Sequence, residues 1–336
     1  MTGPGRIHWV SPLPPAPTDI AEYTRRLIPH LAARAELVLW TDAEAWEPGL
    51  EALAPPGRVR VRRFDPKAPL PFAADALGGH AGPAAVFFHM GNSWVFHGGI
   101  LALAARQPGV LVLHDLALRE ALRDLVLNGR WPERRLREAA RRWYGHEAQA
   151  DIDALLAGRA TGAADLARAP LWEAALGRAT GVLTHTGPAA DAVAARRAVP
   201  VYRLPLPFPA GDGAPNPERD GDRDGDGDGS GGGPLRLVQF GHVGPNRRLE
   251  QVFEAIARVK GRVAVEIDVF GKLWDEAHLA RAAAKLGIAE HVRFRGFAPE
   301  VELDAALARA HCVTKLRPPS MGEASGSQLR SGRAAA

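Results

Sequence analysis

The sequence predicts an α/β protein made of two Rossmann-like domains that face each other across a cleft. Two observations lead to this class. Short β-rich runs alternate with segments of helical periodicity along the chain, a pattern typical of parallel sheets covered by helices on both faces. One Gly- and Asp-rich stretch then divides the pattern in two. With 336 residues and 46% apolar content, the chain is long enough to form two cores.

The first half begins with a strand and an amphipathic helix, in which apolar residues recur at helical spacing from Ile20 to Leu31. Seven strands are predicted before the division: Ile7–Ser11, Leu37–Thr41, Val59–Phe64, Ala85–Phe88, Val110–Leu113, Val182–Thr184 and Val201–Leu204. Four more are predicted after it: Leu235–Phe240, Val263–Phe270, Val292–Arg295 and Cys312–Leu316. A second amphipathic helix follows Leu249, with apolar residues spaced as in the first.

The dividing stretch consists of Gly, Asp, Arg, Pro and Ser without apolar periodicity, which predicts a disordered linker. The domain prediction is therefore residues 1–208, a linker over 209–233, and a second domain over 234–336. Asp220, Asp222 and Asp224 resemble the start of a calcium loop, but the twelfth position is Gly231 and not the required Glu. We expect no metal site here.

The cysteine count, the hydropathy and the net charge indicate where the protein acts and which partners it can have. A single cysteine excludes an internal disulfide, and neither a signal peptide nor a membrane-spanning run is recognisable, so the prediction is a cytoplasmic protein. The net charge of +4 and the pI of about 9.6 are compatible with anionic partners or with a compositional bias toward Arg. A basic surface would also allow peripheral contact with the inner face of the membrane. No nucleic-acid-binding motif is present.

Ligands of such sheets bind beyond the carboxyl ends of the strands, and polar residues follow several of the predicted strands. After Phe240, Gly241 and Gly244 allow a tight turn and Asn246 is suited to cap the next helix. Arg247 and Arg248 would then lie in the first helical turn, where cations oppose the helix dipole unless an anion is bound. Lys272 follows the next strand. Solvated surface charge is the alternative, but the repetition favours a phosphate site.

The last predicted strand is followed by a loop that carries Glu323 and by a helix that opens with Ser325, Gly326 and Ser327. Unpaired N–H groups at such a helix start would bind a diphosphate, and Glu323 would accept hydrogen bonds from sugar or ribose hydroxyls. An ordinary capped helix after a turn is the alternative.

Three segments of the second half resemble family-4 retaining glycosyltransferases of the GT-B fold, bacterial type. They are Gly241 to Gln251, Gly296 to Leu303 and Met321 to Arg330, in the family's order and spacing. In the first half, Val10 to Pro15 with Ile20 to Tyr23, His89 to Asn92, and Pro108 to Asp115 resemble the same family. The resemblance covers nearly the whole chain except the linker.

The resemblance implies an enzyme that moves a sugar from a nucleotide-diphosphate donor to a glycan, lipid-linked or small-molecule acceptor with retention, without a metal or other cofactor. Arg247 and Lys272 would neutralise the diphosphate, and His114 would contact the donor sugar. Glu323 with Ser325 to Ser327 would hold sugar, ribose and phosphate. The acceptor would lie near Ser11, Asp19 and Asn92.

The sequence departs from the family pattern in three places. Asp19 replaces a glycine of the first loop, although Asp19 and Glu22 would form a good helix-capping pair. Ser331 replaces a second glutamate found in many members. The chain also ends soon after Arg330, so about 60–80 residues of a complete six-strand second domain are expected to be missing.

These departures keep alternatives open. An inactive nucleotide-sugar-binding remnant is the main one. A sugar-nucleotide epimerase on the same scaffold is another. A nicotinamide-dependent oxidoreductase would need a G-x-G-x-x-G turn after the first strand, and the segment from Ser11 to Pro17 contains no glycine.

Overall fold

The computed structural model describes residues 5–68, 84–159, 162–207, 233–241 and 243–316, together with residues 324, 326 and 329–331. Described residues up to Leu206 form one compact unit, and residues from Pro207 to Leu316 belong to a second. The predicted linker lies almost wholly outside the described residues, as do Glu323, Ser325 and Ser327.

The first unit contains a parallel sheet of seven described strands in the order β3-β2-β1-β4-β5-β6-β7. Its strands are β1 (Arg6–Val10), β2 (Glu36–Thr41), β3 (Val59–Arg63), β4 (Ala84–Met90), β5 (Gly109–Leu113), β6 (Ala179–Thr184) and β7 (Val201–Arg203). In the centre of the sheet, Trp9 is opposite Leu39 on β2 and Phe87 on β4. Because all pairs are parallel, the strands end at one common edge.

Helices connect these strands. They are α1 (Asp19–Ala32), α2 (Trp94–Ala104), α3 (Arg119–Leu127), α4 (Glu133–Tyr144), α5 (Ala148–Leu156), α6 (Ala163–Arg168) and α7 (Gly187–Ala194), with 3-10 turns at Leu50–Leu53 and Trp172–Ala175. Successive residues of β2 face opposite cores: Leu39 packs in the cluster that contains Ile28 of α1, and Val38 packs in the cluster that contains Ile100 of α2. Burial on both faces explains the nearly continuous apolar runs of these strands.

The second unit contains a parallel sheet of four described strands in the order β10-β9-β8-β11. The strands are β8 (Leu235–Phe240), β9 (Val265–Phe270), β10 (Val292–Gly296) and β11 (Cys312–Val313), and the helices are α8 (Leu249–Val259), α9 (Glu276–Lys285) and α10 (Glu300–Arg309), with 3-10 turns at Pro245–Arg247 and Ala289–His291. One core holds Phe253 of α8 and Ile267 of β9, and another holds Phe240 of β8 and Leu307 of α10. This sheet too is covered on both faces.

Two predicted helix starts are wrong. Thr18, and not Asp19, is the N-cap of α1, because the Thr18 hydroxyl accepts a hydrogen bond from the N–H of Ile20; Asp19 is the first helical residue. Asn246 does not cap α8, because Pro245–Arg247 form a 3-10 turn and Arg248 precedes the helix in a left-handed conformation. The intervening turn therefore keeps Arg247 and Arg248 out of the first turn of α8.

Candidate functional site: the carboxyl edges of the two sheets

In the second unit, three neighbouring strands each end at a glycine with positive φ. Gly241 follows β8 with φ +103°, Gly271 follows β9 with φ +105°, and Gly296 ends β10 with φ +62°. Residues with side chains rarely adopt these conformations. The three chains therefore turn sharply at the same edge of the sheet.

The first two of these turns are in close contact. A Cβ atom on Gly271 would lie 2.2 Å from the carbonyl oxygen of Gly241, so only glycine fits there. Backbone bonds continue the pairing across the edge: Gly241 N–H donates to Phe270 at 3.1 Å, and Gly271 N–H donates to Gly296 at 2.6 Å. The edge is thus a continuous surface of backbone without side chains at these three positions, which lets a ligand approach the main chain closely.

Hydrogen bonds to buried residues hold the loop after β8 in place. Gly244 is buried, and its carbonyl accepts from the N–H of Arg247 at 2.9 Å. The buried Gln239 of β8 donates to the carbonyl of Arg247 at 3.3 Å and accepts from the hydroxyl of Thr314 at 2.9 Å. The predicted donor-binding residue Asn246 is exposed within this loop. These bonds fix the backbone that presents Arg247.

Cations are concentrated on this edge. Arg247 is half-buried, whereas Arg248 and Lys272 are exposed and have no ion-pair partner within the part of the chain that the structure describes. The loops that carry them are joined, because Val243 N–H donates to the carbonyl of Lys272 at 2.9 Å. Lys315, just after β11, was not predicted for this edge; its ammonium lies 3.4 Å from the ring centroid of Phe240. The predicted strand Cys312–Leu316 included Lys315, whereas β11 ends at Val313 and leaves it at the strand end.

Two exposed aromatic residues flank the same edge. Phe297 follows Gly296 directly, and 97% of its surface is exposed. Trp274 follows the Lys272 loop, is 43% exposed, and lies 5.1 Å from His278 between ring centroids. Aromatic rings exposed beside cations are suited to bind a ligand that has both a flat ring and negative charge.

At the carboxyl edge of the first unit, side chains from three adjacent strands bring histidines together. His89 lies near the end of β4, His114 follows β5, and His185 follows β6. His89 Nδ1 is 2.9 Å from His114 Nε2, and the ring centroids of His114 and His185 are 5.1 Å apart. Trp9 and Tyr23 pack against this group. We call His89, His97, His114 and His185 the histidine cluster; His97 of α2 contacts the others through the carbonyl of His89.

Burial makes this cluster electrically neutral. Desolvation, strengthened by the neighbouring histidines, holds the pKa of His89 and of His114 well below the usual range, and desolvation lowers the pKa of His97 to about 4. It also lowers the pKa of His185. From the sequence, a role was predicted only for His114; His89 was placed in the family-like segment His89 to Asn92 without a role, and His97 and His185 were assigned none. Three of them lie at the ends of adjacent strands, and this spacing could have indicated that their side chains lie close together.

The loop after β4 is tied to α3 by a polar network. The Asn92 amide donates to Glu120 at 2.5 Å and accepts from the N–H of Ala121 at 3.0 Å, while the Asn92 N–H donates to Asp115 at 2.9 Å. The side-chain amide and the main-chain N–H of the predicted acceptor-side residue Asn92 are therefore hydrogen-bonded within the protein. Gly91 beside it is also constrained, since a Cβ there would lie 2.9 Å from His97 Nε2.

The other two predicted acceptor-side residues differ in exposure. Ser11 is fully buried, and its hydroxyl lies 2.8 Å from the hydroxyl of Thr24, which also accepts from the indole N–H of Trp9 at 3.1 Å. Asp19 is exposed at the start of α1. The structure thus makes Ser11 a support for the first loop and leaves Asp19 accessible to solvent.

Several predicted donor-binding residues lie outside the described part of the chain. They are Glu323, Ser325 and Ser327, whose roles stay predictions; Gly326 between them has helical backbone. Among the described residues, no group of three or more His, Cys, Asp or Glu side chains is arranged to hold a metal ion. None of the described helices has the length and apolar character of a membrane span.

Comparisons with known proteins identify the fold. No family model matches the chain, and no curated protein is similar at a significant level. Among solved structures, Anabaena Alr3699/HepE in complex with UDP is similar with a TM-score of 0.50 and 12% identity, covering 92% of this chain and 73% of that one. WaaG, a glycosyltransferase involved in lipopolysaccharide biosynthesis, is similar with a TM-score of 0.48 and 13% identity, covering 98% and 79%. The predicted α/β class, with two parallel Rossmann-like sheets as in GT-B glycosyltransferases, is confirmed.

Proposed function

We propose that the protein is a retaining glycosyltransferase that uses a nucleotide-diphosphate sugar as donor. The observation that carries this proposal is the edge of the second unit, where three strands end in positive-φ glycines beside the half-buried Arg247 and the exposed Arg248 and Lys272. A diphosphate is the ligand class that uses both features, because it accepts hydrogen bonds from closely approached backbone and is neutralised by Arg and Lys.

The order of the strands suggests how a donor would lie along this edge. Arg247 and Lys272, after β8 and β9, would neutralise the diphosphate. Adjacent strands are about 4.8 Å apart, so Phe297 after β10 lies roughly 10 Å along the edge from the β8 loop. A nucleoside diphosphate spans such a distance between its phosphates and its base. We propose that the base stacks on Phe297.

The chemistry that follows is electrostatic. In sugar transfer the nucleoside diphosphate leaves with growing negative charge on the oxygen that is bonded to the anomeric carbon. Fixed cations and backbone N–H groups stabilise this charge without a metal and lower the barrier. His114 of the first unit would contact the donor sugar, and Glu323 with Ser325 to Ser327 would hold sugar, ribose and phosphate. The acceptor class, whether glycan, lipid-linked glycan or small molecule, is part of the proposal and is set by residues at the first unit's edge.

The first test is a thermal-shift screen of the purified chain against the nucleotides UDP, GDP and ADP and the sugar nucleotides UDP-glucose, GDP-mannose and ADP-glucose. A ligand at 100 times its Kd stabilises the native state by about 2.7 kcal/mol, which is a shift of several degrees. Release of the nucleoside diphosphate from the stabilising sugar nucleotide, with the sugar passed to water or to an added glycan, lipid-linked or small-molecule acceptor, would show catalysis. Binding without release would favour the inactive remnant, and a folded protein that binds none of the panel would refute the proposal.

Charge neutralisation is tested with Arg247→Ala and Lys272→Ala. Each should slow release of the nucleoside diphosphate about 100-fold, because each leaves part of the developing charge uncompensated. The matched controls are Arg258→Ala and Lys285→Ala, which remove exposed cations of the same unit far from the strand ends. Equal rates for the Lys272 and Lys285 variants would contradict the assigned phosphate site.

A further inference from the structure

The hydrogen bonds of the histidine cluster fix two of its tautomers. His97 Nδ1 lies 3.0 Å from the carbonyl oxygen of His89, and His185 Nδ1 lies 2.9 Å from the carbonyl oxygen of Leu204. A carbonyl oxygen only accepts, so both Nδ1 atoms carry the proton. In these neutral rings Nε2 is a bare lone pair. For His185 this atom is buried and has no hydrogen-bond partner within the described residues.

The donor in the hydrogen bond between His89 and His114 can be assigned by the same reasoning. One proton lies between His89 Nδ1 and His114 Nε2, which are 2.9 Å apart. If His114 donated it, His89 would have to carry its own proton on Nε2. That atom is buried and without a partner among the described residues, so a polar N–H would be left unsatisfied. If His89 donates it, only a lone pair is left there.

The surroundings of His89 favour the second arrangement. The ring is fully buried, and the Trp9 ring lies 4.2 Å away between centroids with an interplanar angle of 39°; an indole offers no acceptor lone pair to an Nε2–H. A buried N–H without an acceptor costs about 1–3 kcal/mol, and such orphan donors are rare in proteins. The tautomers are thus assigned from the hydrogen-bond network.

We propose that His89 is a positioning residue that donates through Nδ1 to His114 Nε2, and so makes His114 present an Nδ1–H donor to the donor sugar. His114 Nδ1 has no hydrogen-bond partner among the described residues, and the ring is only half-buried. The contact with sugar rests on the proposed function. The tautomer itself does not.

This arrangement gives His114 a specific chemical character. Both rings are neutral near pH 7, since burial and the neighbouring histidines hold their pKa values well below the usual range. A neutral donor binds a sugar hydroxyl oxygen without adding positive charge that would attract the diphosphate. The ring is also held in one orientation by the 2.9 Å bond, which reduces the entropy lost when the sugar binds.

The tautomer can be read directly by NMR on the full chain labelled with 15N-histidine. We expect His114, assigned by its loss in His114→Gln, to show a protonated Nδ1 and an unprotonated Nε2 at pH 7. In His89→Leu the fixed tautomer should be lost, with Nε2 becoming protonated in part or in full. A protonated Nε2 on His114 in the wild-type protein would overturn the assignment.

Kinetics separate positioning from simple folding support. His89→Asn places an amide N–H at the position of Nδ1 and should retain at least half of the wild-type kcat/KM for the best sugar nucleotide of the panel. His89→Leu should lower this value about tenfold, while affinity for the nucleoside diphosphate alone stays unchanged. The control His8→Asn changes an equally buried histidine of β1 that bonds Trp40 and should retain activity.

The outcomes distinguish the two proposals. Equal kcat/KM in His89→Leu and His8→Asn would refute the positioning role. Normal transfer together with Nε2–H on His114 would refute the tautomer assignment and leave the proposed function intact. Absence of any nucleotide-sugar binding, with Nδ1–H on His114, would refute the proposed function and leave the tautomer assignment standing.

Discussion

At Gly271 the backbone adopts φ +105°, and a Cβ atom would lie 2.2 Å from the carbonyl oxygen of Gly241. Two independent constraints therefore require glycine: the left-handed conformation and the contact between main chains. Gly271→Ala should force the β8 and β9 turns apart and destabilise the second unit by at least 2 kcal/mol. If the proposed function holds, it should also abolish the thermal shift that a nucleotide causes.

A matched substitution is available in the same unit. Gly261 lies in the exposed turn after α8, and a Cβ there would have no atom within 4 Å. Gly261→Ala should change the free energy of unfolding, measured with urea, by less than about 0.5 kcal/mol and leave nucleotide binding intact. If both alanine variants bound nucleotide equally, the glycine edge would not be part of the site.

Single residues also show what sequence reasoning can and cannot locate. The position of Lys272 at the carboxyl edge of the sheet was predicted correctly, because a cation directly after a parallel strand must lie at that edge, whatever the details of packing. His89 lies in a segment that resembles the family, but its role was not predicted, because that role depends on which ring atom faces His114, and rotamers and tautomers leave no pattern in a single sequence. Ser11 illustrates the reverse: the loop was located, but its side chain faces Thr24.

At the scale of elements, Asn92 connects the loop after β4 with the start of α3. Asn92→Ala would remove two side-chain hydrogen bonds and leave the buried N–H of Ala121 without its acceptor. We expect a loss of about 1–3 kcal/mol in the unfolding free energy of the first unit, measured by urea denaturation. Asn128→Ala, at the exposed end of the same helix, should cost less than about 0.5 kcal/mol. Equal losses would mean that the network does not hold the loop.

Elements were predicted well and their ends less well. Each of the eleven predicted strands is present, because β-branched and apolar runs between turns are determined by burial on both faces of a sheet. The start of α8 was misplaced since a 3-10 turn at Pro245–Arg247 moves the cap to Arg248. The cap of α1 was predicted one residue late, at Asp19, because capping depends on which of several adjacent polar residues reaches the first N–H groups, and here it is Thr18.

For the molecule as a whole, the histidine cluster couples stability to pH. The folded-state pKa values of His89, His97 and His114 lie below the unfolded value near 6.5, chiefly because of burial. The stability associated with these neutral rings is fully present above pH 6.5. It is lost as pH falls toward the folded pKa values, because the unfolded chain then binds more protons than the folded chain. Asp42 and Glu173 oppose this trend, since burial raises the pKa of each carboxyl.

His97 allows the effect to be measured for a single group. Its pKa of about 4 corresponds to about 3 kcal/mol of stability lost between pH 6.5 and pH 4. His97→Asn keeps a donor for the His89 carbonyl and removes the titrating ring. In urea unfolding from pH 7 to pH 4.5, the variant should lose stability less steeply than the wild type, by up to about 1.4 kcal/mol per pH unit. Identical slopes would show that His97 becomes protonated in the folded protein, and that the edge beneath His114 is open to water.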